Sequence, residues 1–308
     1  TLYRQTSDIS LKDLHQYLTG RTTRLKPQQI TELEEEISLE EVLNAIQALA
    51  VGKAAGSDGI PLEFYKVFQE LLGGRLLILC RELQLGNLPP LSWANSRIAV
   101  FLKKGKDPTQ TTSYRPISLI NADSKIYSKV IATRLSGVVS SLVSPWQHGF
   151  VPQRGTTEHI NRLITLIDVA ETDKVPLAAI FLDAEKAFDR VLWKYLWGVL
   201  ESMGFGTKIQ TMIQALYRRP TANVVVNGLQ SSEIEITRGT RQGCPCSPLL
   251  FALYIDPYLQ HLLNDGGITP LVIHGYSTKV LAYADDVAVV TSVPTQALSN
   301  IETAALQF

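Results

Sequence analysis

Two adjacent carboxylates at the tip of a tight hairpin are the feature that most constrains how this chain folds. The tetrapeptide Tyr283-Ala284-Asp285-Asp286 lies between two short apolar runs, Lys279–Ala284 and Val287–Thr291. Runs rich in Val, Leu and Tyr are typical of strands, and Asp tolerates turn geometry, so the sequence predicts a hairpin with the Asp pair at its tip. Carboxylates held this close repel each other, and a divalent cation relieves the repulsion. The pair therefore predicts half of a metal site.

The other half is predicted at Asp183. The apolar run Ala178–Leu182 predicts a buried strand that ends at this residue, and a mixed helical pattern follows it. A single Asp at a strand end more often only forms a turn, so the interpretation depends on all three carboxylates together. On neighbouring strands, Asp183, Asp285 and Asp286 would hold two Mg²⁺ ions, the arrangement of phosphoryl-transfer polymerases and nucleases.

The motifs around these residues resemble those of reverse transcriptases. The segments that contain Asp183 and Asp285 are similar to motifs A and C of that family, and the segment 238–251 resembles motif B of its non-LTR, LINE-1-like group. Four further segments match finger motifs of the same group in the family's order: Gly56–Pro61, Tyr114–Leu119, Gln147–Phe150 and Pro220–Asn223. Several motifs in one order are more specific than any one of them. The chain resembles the fingers–palm portion of a non-LTR retrotransposon polyprotein.

The order of predicted elements indicates an α+β fold. The resemblance implies the fingers and palm of a right-hand polymerase, with a small antiparallel palm sheet backed by helices and no thumb. We expect residues 1–50 to form a helical lead-in, 51–175 the fingers, and 176–308 a palm that ends before the thumb. The implied activity is that of an RNA-directed DNA polymerase, a nucleotidyltransferase that adds dNTPs to a DNA primer on an RNA template during retrotransposition.

The resemblance also implies roles for individual residues. The catalytic residues would be Asp183, Asp285 and Asp286, which with the main-chain carbonyl of Ala184 would hold two Mg²⁺ ions, or Mn²⁺ in their place. The predicted nucleotide contacts are Lys103, Arg115, Phe188 and Gln242. The predicted template–primer contacts are Gly243, Tyr283 and Arg241. Arg115 suits the triphosphate because a planar guanidinium matches phosphate oxygens, and Phe188 is the residue expected to exclude a 2′-hydroxyl.

Composition allows this interpretation without requiring it. The chain has 308 residues, of which 45% are hydrophobic, and its formal net charge is zero. Neutrality argues mildly against a nucleic-acid-binding protein, although a polymerase needs only a local basic path. The expected partners are an RNA template, a DNA primer and dNTPs, with no membrane, in a longer polyprotein that also carries endonuclease and C-terminal segments. By resemblance, we expect an intracellular location in the cytoplasm or nucleus.

Local patterns predict several elements. A capping box at Ser38–Glu41 begins a helix that should run to Gly52, and a second helix, Leu62–Leu85, should break at Gly73-Gly74. Arg97–Leu102 predicts a strand followed by a basic hairpin loop. Asn227-Gly228 predicts a type I′ turn.

Two alternatives stay open. One is an inactive or domesticated retroelement fragment that serves only as a nucleic-acid-binding scaffold, against which the intact carboxylates and Gln242 argue. The other is a different right-hand polymerase, such as a group II intron-type reverse transcriptase or a viral RNA polymerase. Phe188 argues for DNA synthesis. We expect the chain alone to bind template–primer weakly and to extend it poorly.

Overall fold

Helices occur along the whole described chain, whereas eight of the ten strands lie in its second half. The structure, a computed structural model, describes Leu18 and residues 23–307, so the start of the predicted lead-in and Phe308 lie outside the described residues. The described α-helices are α1 (Pro27–Glu34), α2 (Leu39–Ala48), α3 (Leu62–Val67), α4 (Gln69–Gln84), α5 (Ala122–Ser136), α6 (Val139–Leu142), α7 (Thr156–Thr172), α8 (Trp193–Ser202), α9 (Thr207–Ala215), α10 (Ser247–Asn264) and α11 (Pro294–Gln307). Among these residues, no helix combines the length and the apolar character that crossing a membrane requires.

The strands are short and fall into separate sheets. Their bounds are β1 (Asn95–Leu102), β2 (Tyr114–Leu119), β3 (Ala178–Leu182), β4 (Thr221–Val226), β5 (Leu229–Gln230), β6 (Ile234–Glu235), β7 (Leu271–Ile273), β8 (Tyr276–Thr278), β9 (Val280–Tyr283) and β10 (Asp286–Thr291). Short 3₁₀ turns are formed by Leu91–Trp93, Thr111–Ser113 and Ala187–Arg190. The chain is thus a mixed α and β protein, as the pattern of elements predicts.

A small antiparallel sheet carries the predicted catalytic segments. Its order is β3-β10-β9, with Val287 opposite Leu182 and Asp286 opposite Tyr283. Helices cover one face through the main core, in which Leu196, Leu250 and Val289 are fully buried. On the other face, α7 packs over a second core of buried side chains. Because both faces of the central strand β10 are covered, the sheet is a rigid support for the residues at its end.

A second sheet joins distant parts of the chain. Its main order is β2-β1-β4-β5, and β6 also pairs with β4. The strands β1 and β4 run parallel, with Ile98 opposite Val224. Parallel neighbours need a long crossover, which here includes β3 and the helices around it. The boundary expected between residues 175 and 176 therefore does not separate the sheets, since β4 follows it in sequence and pairs with a strand that precedes it.

Two helix predictions need correction. The helix that begins at the Ser38 capping box ends at Ala48 and not near Gly52, because Leu49 has an extended conformation. The predicted break at Gly73-Gly74 is wrong, since the chain breaks at Phe68, between α3 and α4. Gly73 lies inside α4, where a Cβ would stand 3.0 Å from the Leu43 side chain of α2. This glycine permits close packing of two helices and does not interrupt its own.

Candidate active site

The Asp pair lies at the tip of a two-residue hairpin, as the sequence predicts. β9 ends at Tyr283 and β10 begins at Asp286, so Ala284 and Asp285 form the turn. Ala284 is buried and has a φ of 55°. This left-handed conformation costs an alanine about 1–2 kcal/mol, so contacts from elsewhere must hold the turn.

Asp183 follows directly after β3, which confirms the predicted strand. The strand is not buried as predicted, because β3 lies at the edge of its sheet and Phe181 is largely exposed. The antiparallel register of β3 and β10, continued by one residue, sets Asp183 opposite Asp286. The first and the last of the predicted catalytic residues are thus brought to one end of one sheet. They lie 103 positions apart in the sequence.

One open cleft collects most of the predicted site residues. It has a volume of about 360 Å³. Seven predicted residues line it: Lys103, Arg115, Asp183, Ala184, Phe188, Gln242 and Asp285. They come from the β1–β2 hairpin, the segment after β3, the loop before α10 and the Asp-Asp turn. Their meeting in one cavity could not follow from any local pattern.

The electrostatics of the cleft suit a cation. Burial raises the pKa of Asp285, and the negative charges of Asp286 and Asp183 raise it further. In the part of the chain that the structure describes, no group of three or more His, Cys, Asp or Glu side chains is arranged to hold a metal ion by itself. Mg²⁺ is usually held by one or two carboxylates with substrate phosphates and water, so an open set of carboxylates fits this ion. Three positively charged side chains, Lys103, Arg115 and Lys186, also line the cleft and suit a polyphosphate.

Phe188 is held in the cleft by other aromatic rings. Its ring stacks on Phe251 of α10 at a centroid distance of 4.2 Å and meets Phe150 edge-on at 5.8 Å. The main-chain carbonyl of Phe188 accepts a hydrogen bond of 2.8 Å from the Thr240 amide. A ring packed against two other rings, on a hydrogen-bonded main chain, has the rigidity that a steric filter requires.

The loop before α10 is tied to both of its neighbours. The Ser118 amide of β2 donates to the Gln242 carbonyl at 3.0 Å, and Gly239 donates to the Val191 carbonyl at 2.7 Å. Gly243 has a φ of 107°, and a Cβ there would stand 2.9 Å from the Ser118 carbonyl oxygen. Glycine is therefore required at this position both by conformation and by space.

The structure does not bring every predicted residue to the cleft. Asp286, Gly243, Tyr283 and Arg241 are outside its lining. Asp286 and Gly243 are exposed beside it. Tyr283 faces Phe150 and His159, at ring distances of 6.5 and 6.3 Å. Arg241 donates to the Trp93 carbonyl at 3.2 Å and lines a separate cavity, so its predicted contact with template–primer has no geometric support.

The segment Gln147–Phe150 contacts the Asp-Asp turn, a role that the sequence did not indicate. His148 donates from its amide to the Ala282 carbonyl at 2.8 Å, and the Gln147 side chain is hydrogen-bonded to Ala284. The sequence offers only one signal for this contact, a polar Gln147 two residues before Gly149 in a motif to which no role is assigned. Only the fold shows what it touches.

Comparison with known proteins agrees with this geometry. Residues 102–307 match the family described as reverse transcriptase (RNA-dependent DNA polymerase). The chain is 34% identical over 261 residues to the transposon TX1 uncharacterized 149 kDa protein of Xenopus laevis, which is 84% of this chain and 20% of that protein.

Two further relatives carry related names. The chain is 30% identical over 259 residues to the RNA-directed DNA polymerase from mobile element jockey of Drosophila melanogaster, covering 83% of this chain and 27% of that protein. It is 30% identical over 198 residues to the retrovirus-related Pol polyprotein from type-1 retrotransposable element R2 of Popillia japonica, covering 64% and 27%. The chain thus spans about a fifth to a quarter of the length of these relatives.

Proposed function

The chain belongs to the reverse transcriptase (RNA-dependent DNA polymerase) family, and from this premise we propose that it is the DNA-synthesis centre of a non-LTR retrotransposon protein. It would add dNTPs to a DNA primer on an RNA template. One observation carries the proposal: Asp183 and Asp285 line the same cleft as Arg115, Gln242 and Phe188. A metal-binding end, a phosphate-binding end and a sugar filter are the parts that nucleotide addition needs.

We assign the two larger sheets to two parts of a right-hand polymerase. The three-stranded sheet β3-β10-β9 would be the palm, and the five-stranded sheet would belong to the fingers. In this assignment β4 is contributed to the fingers by a segment that otherwise builds the palm. The cleft then lies where a nucleotide would enter between the basic β1–β2 loop and the carboxylates.

Positioning and charge neutralisation account for the proposed mechanism. Two Mg²⁺ ions, when bound by Asp183, Asp285, Asp286 and the Ala184 carbonyl, would favour ionisation of the primer 3′-hydroxyl and stabilise charge on the triphosphate. Arg115 and Lys103 would bind phosphate oxygens from the opposite side. No side chain acts as a nucleophile, since the primer supplies the attacking oxygen.

Phe188 would select the sugar. Because its ring is stacked on Phe251 and lines the cleft, it cannot move away from an added hydroxyl without disturbing α10. A rigid ring under the sugar would leave room for a 2′-hydrogen and exclude a 2′-hydroxyl. Gln242, whose carbonyl is held by Ser118, would contact the base or the template.

A single-nucleotide incorporation assay tests the proposal. The 308-residue chain, in excess over a DNA primer annealed to RNA, is mixed with one dNTP and Mg²⁺, so that processivity is not needed. We expect slow extension that falls by roughly 10³-fold in Asp285→Ala, the loss of several kcal/mol expected for a metal-binding carboxylate. Asp168→Ala, an exposed residue of α7, is the matched control. Binding of template–primer without any extension would favour the scaffold alternative.

A further inference from the structure

The segment before α7 extends the three-stranded sheet at its catalytic end. The Ala282 amide of β9 donates to the Trp146 carbonyl at 3.0 Å, and the His148 amide donates to the Ala282 carbonyl at 2.8 Å. Gln147 and Ala282 form a parallel β-bridge. The segment is anchored in turn by Arg154, whose guanidinium donates to the Gln147 carbonyl at 2.7 Å. β9 is therefore supported on both edges.

The Gln147 side chain closes on the peptide units around Ala284. Its Oε1 accepts hydrogen bonds of 2.8 Å from the Ala284 amide and 2.8 Å from the Gly149 amide. Its Nε2 donates to the Ala284 carbonyl at 3.1 Å. The side chain is completely buried. Two donors on one side and a carbonyl on the other fix which end of the carboxamide is oxygen, and a side chain of this size meets both demands only as glutamine or as a protonated glutamic acid.

Close packing adds to these hydrogen bonds. A Cβ at position 149 would overlap the Ala284 nitrogen and stand 2.8 Å from its Cα atom. The turn is therefore in direct contact with the Gly149 backbone. It cannot move toward this segment, and the carboxamide keeps it from moving away.

The turn needs such support. Ala284 has a φ of 55°, which its own side chain disfavours. The neighbouring carboxylates of Asp285, Asp286 and Asp183 repel one another, which favours their separation. Gln147 holds the amide and the carbonyl of Ala284, the residue directly before Asp285. Fixing them fixes the direction in which the Asp285 side chain leaves the turn.

We propose that Gln147 is a positioning residue of the polymerase centre, whose buried carboxamide holds the Ala284 turn so that Asp285 and Asp286 face Asp183. The proposal rests on the proposed function, since the geometry that it fixes matters only if the carboxylates work together. The Gln147 side chain is completely buried and does not line the cleft. It acts through the main chain of the turn.

The chain offers a matched control in a second buried glutamine. Gln84 of α4 donates from Nε2 to the Glu35 carbonyl at 2.7 Å and accepts from the Ile37 amide at 3.3 Å. It therefore makes the same kind of main-chain contacts, in a region that does not line the cleft. Gln147→Met and Gln84→Met remove the same chemistry and keep a similar volume.

Three quantities are measured in each variant: the rate of single-nucleotide incorporation, the Kd for template–primer, and amide hydrogen exchange of the peptide that spans residues 280–288. We expect Gln147→Met to lower kcat by about 10–100-fold, the usual loss when a group that orients metal ligands is removed, with the Kd changed less than about twofold. Exchange at the Ala284 amide should rise. Gln84→Met should leave all three unchanged while showing a comparable fall in Tm.

Gln147→Glu is a second variant of the same contacts, so the test does not depend on whether Gln147→Met folds. A carboxylate still accepts from Ala284 and Gly149 but no longer donates to the Ala284 carbonyl, so its kcat should lie between wild type and Gln147→Met. Wild-type kcat or wild-type exchange in Gln147→Met would overturn the proposal, as would a loss of kcat equal to that of Gln84→Met. If the wild-type chain shows no incorporation, the proposed function fails. The exchange measurement alone then decides whether Gln147 holds the Ala284 turn.

Discussion

Among the described hairpins that close with two-residue turns, the β4–β5 and β9–β10 hairpins are held in opposite ways. Between β4 and β5, Asn227 and Gly228 have φ angles of 51° and 79°, which these two residues adopt readily. Between β9 and β10, Ala284 has nearly the same φ of 55° but is a residue that resists it. The first turn is exposed and stable through its own residues, and the second is buried and held by Gln147.

The difference between the two turns shows where the chain uses a residue that does not favour its local backbone conformation, and why. A turn that serves only to reverse the chain can use the residues that prefer it. A turn that must present two carboxylates needs residues chosen for chemistry, so its geometry depends on contacts from elsewhere in the fold. Changes around the Asp-Asp turn should therefore affect nucleotide addition, and changes around the Asn-Gly turn should affect only stability.

Among changes that leave the carboxylates in place, the largest effect is expected from Gly149→Ala. The added methyl group would overlap the Ala284 nitrogen, so the turn must shift. A displacement of about 1 Å at a catalytic group lowers the rate by roughly 10²-fold. Incorporation per folded molecule measures this loss. Gly228→Ala is the control, because nothing lies within 4 Å of its new methyl group. Equal rates in the two variants would mean that the contact at Gly149 has no bearing on the site.

The next effect concerns the sugar and is expected from Phe188→Val. A smaller side chain would admit the 2′-hydroxyl, so the preference for dNTP over rNTP should fall by about tenfold or more. The measurement is the ratio of incorporation rates with matched dNTP and rNTP. Phe181→Val is the control, since Phe181 is 70% exposed and does not line the cleft. An unchanged ratio in Phe188→Val would remove the sugar filter from the account.

A smaller effect, on stability, is expected from placing an alanine in the Asn227-Gly228 turn and a glycine in the Ala284-Asp285 turn. Gly228→Ala should lower the free energy of unfolding by about 1 kcal/mol, because it places a side chain at a φ of 79°. Ala284→Gly should change it by less than about 0.5 kcal/mol, since relief of strain and added freedom of the unfolded chain offset each other. Denaturant unfolding measures both. A large loss in Ala284→Gly would show that the Ala284 methyl group itself supports the turn.

The smallest effect is a pH-dependent one at Asp285. Its pKa in the folded state lies above the ordinary value of 3.8. The folded protein therefore loses stability as the pH rises from about 3.8 through the folded-state pKa, because the carboxyl ionises more readily in the unfolded chain. Without divalent cations, Asp285→Asn should therefore have a slightly higher Tm than wild type at pH 7. The difference should vanish below about pH 3, where the carboxyl is neutral in both states. A lower Tm at pH 7 would contradict this sign.

Local signals were sufficient for some parts of the site and insufficient for others. The β3 run, the Asp-Asp hairpin and the Asn227-Gly228 turn were predicted because each depends on neighbouring residues. The parallel pairing of β1 with β4 and the contact of Gln147 with Ala284 were not, because each joins segments more than a hundred positions apart. The sequence predicts a helix break at Gly73-Gly74 because glycine occurs both where a helix is interrupted and where two helices pack closely, and the local pattern does not distinguish the two cases.

The claim that distant carboxylates act as one centre is tested most directly by combining Asp183→Asn with Asp285→Asn. Incorporation is followed under single-turnover conditions with the chain in excess, so that slow rates are measurable over hours. When two groups hold the same ions, the losses of rate caused by substituting each of them do not add. We predict that each single variant loses roughly 10³-fold and that the double variant loses no more than the worse of the two. Losses that multiply, or a wild-type rate in either single variant, would contradict a shared metal centre.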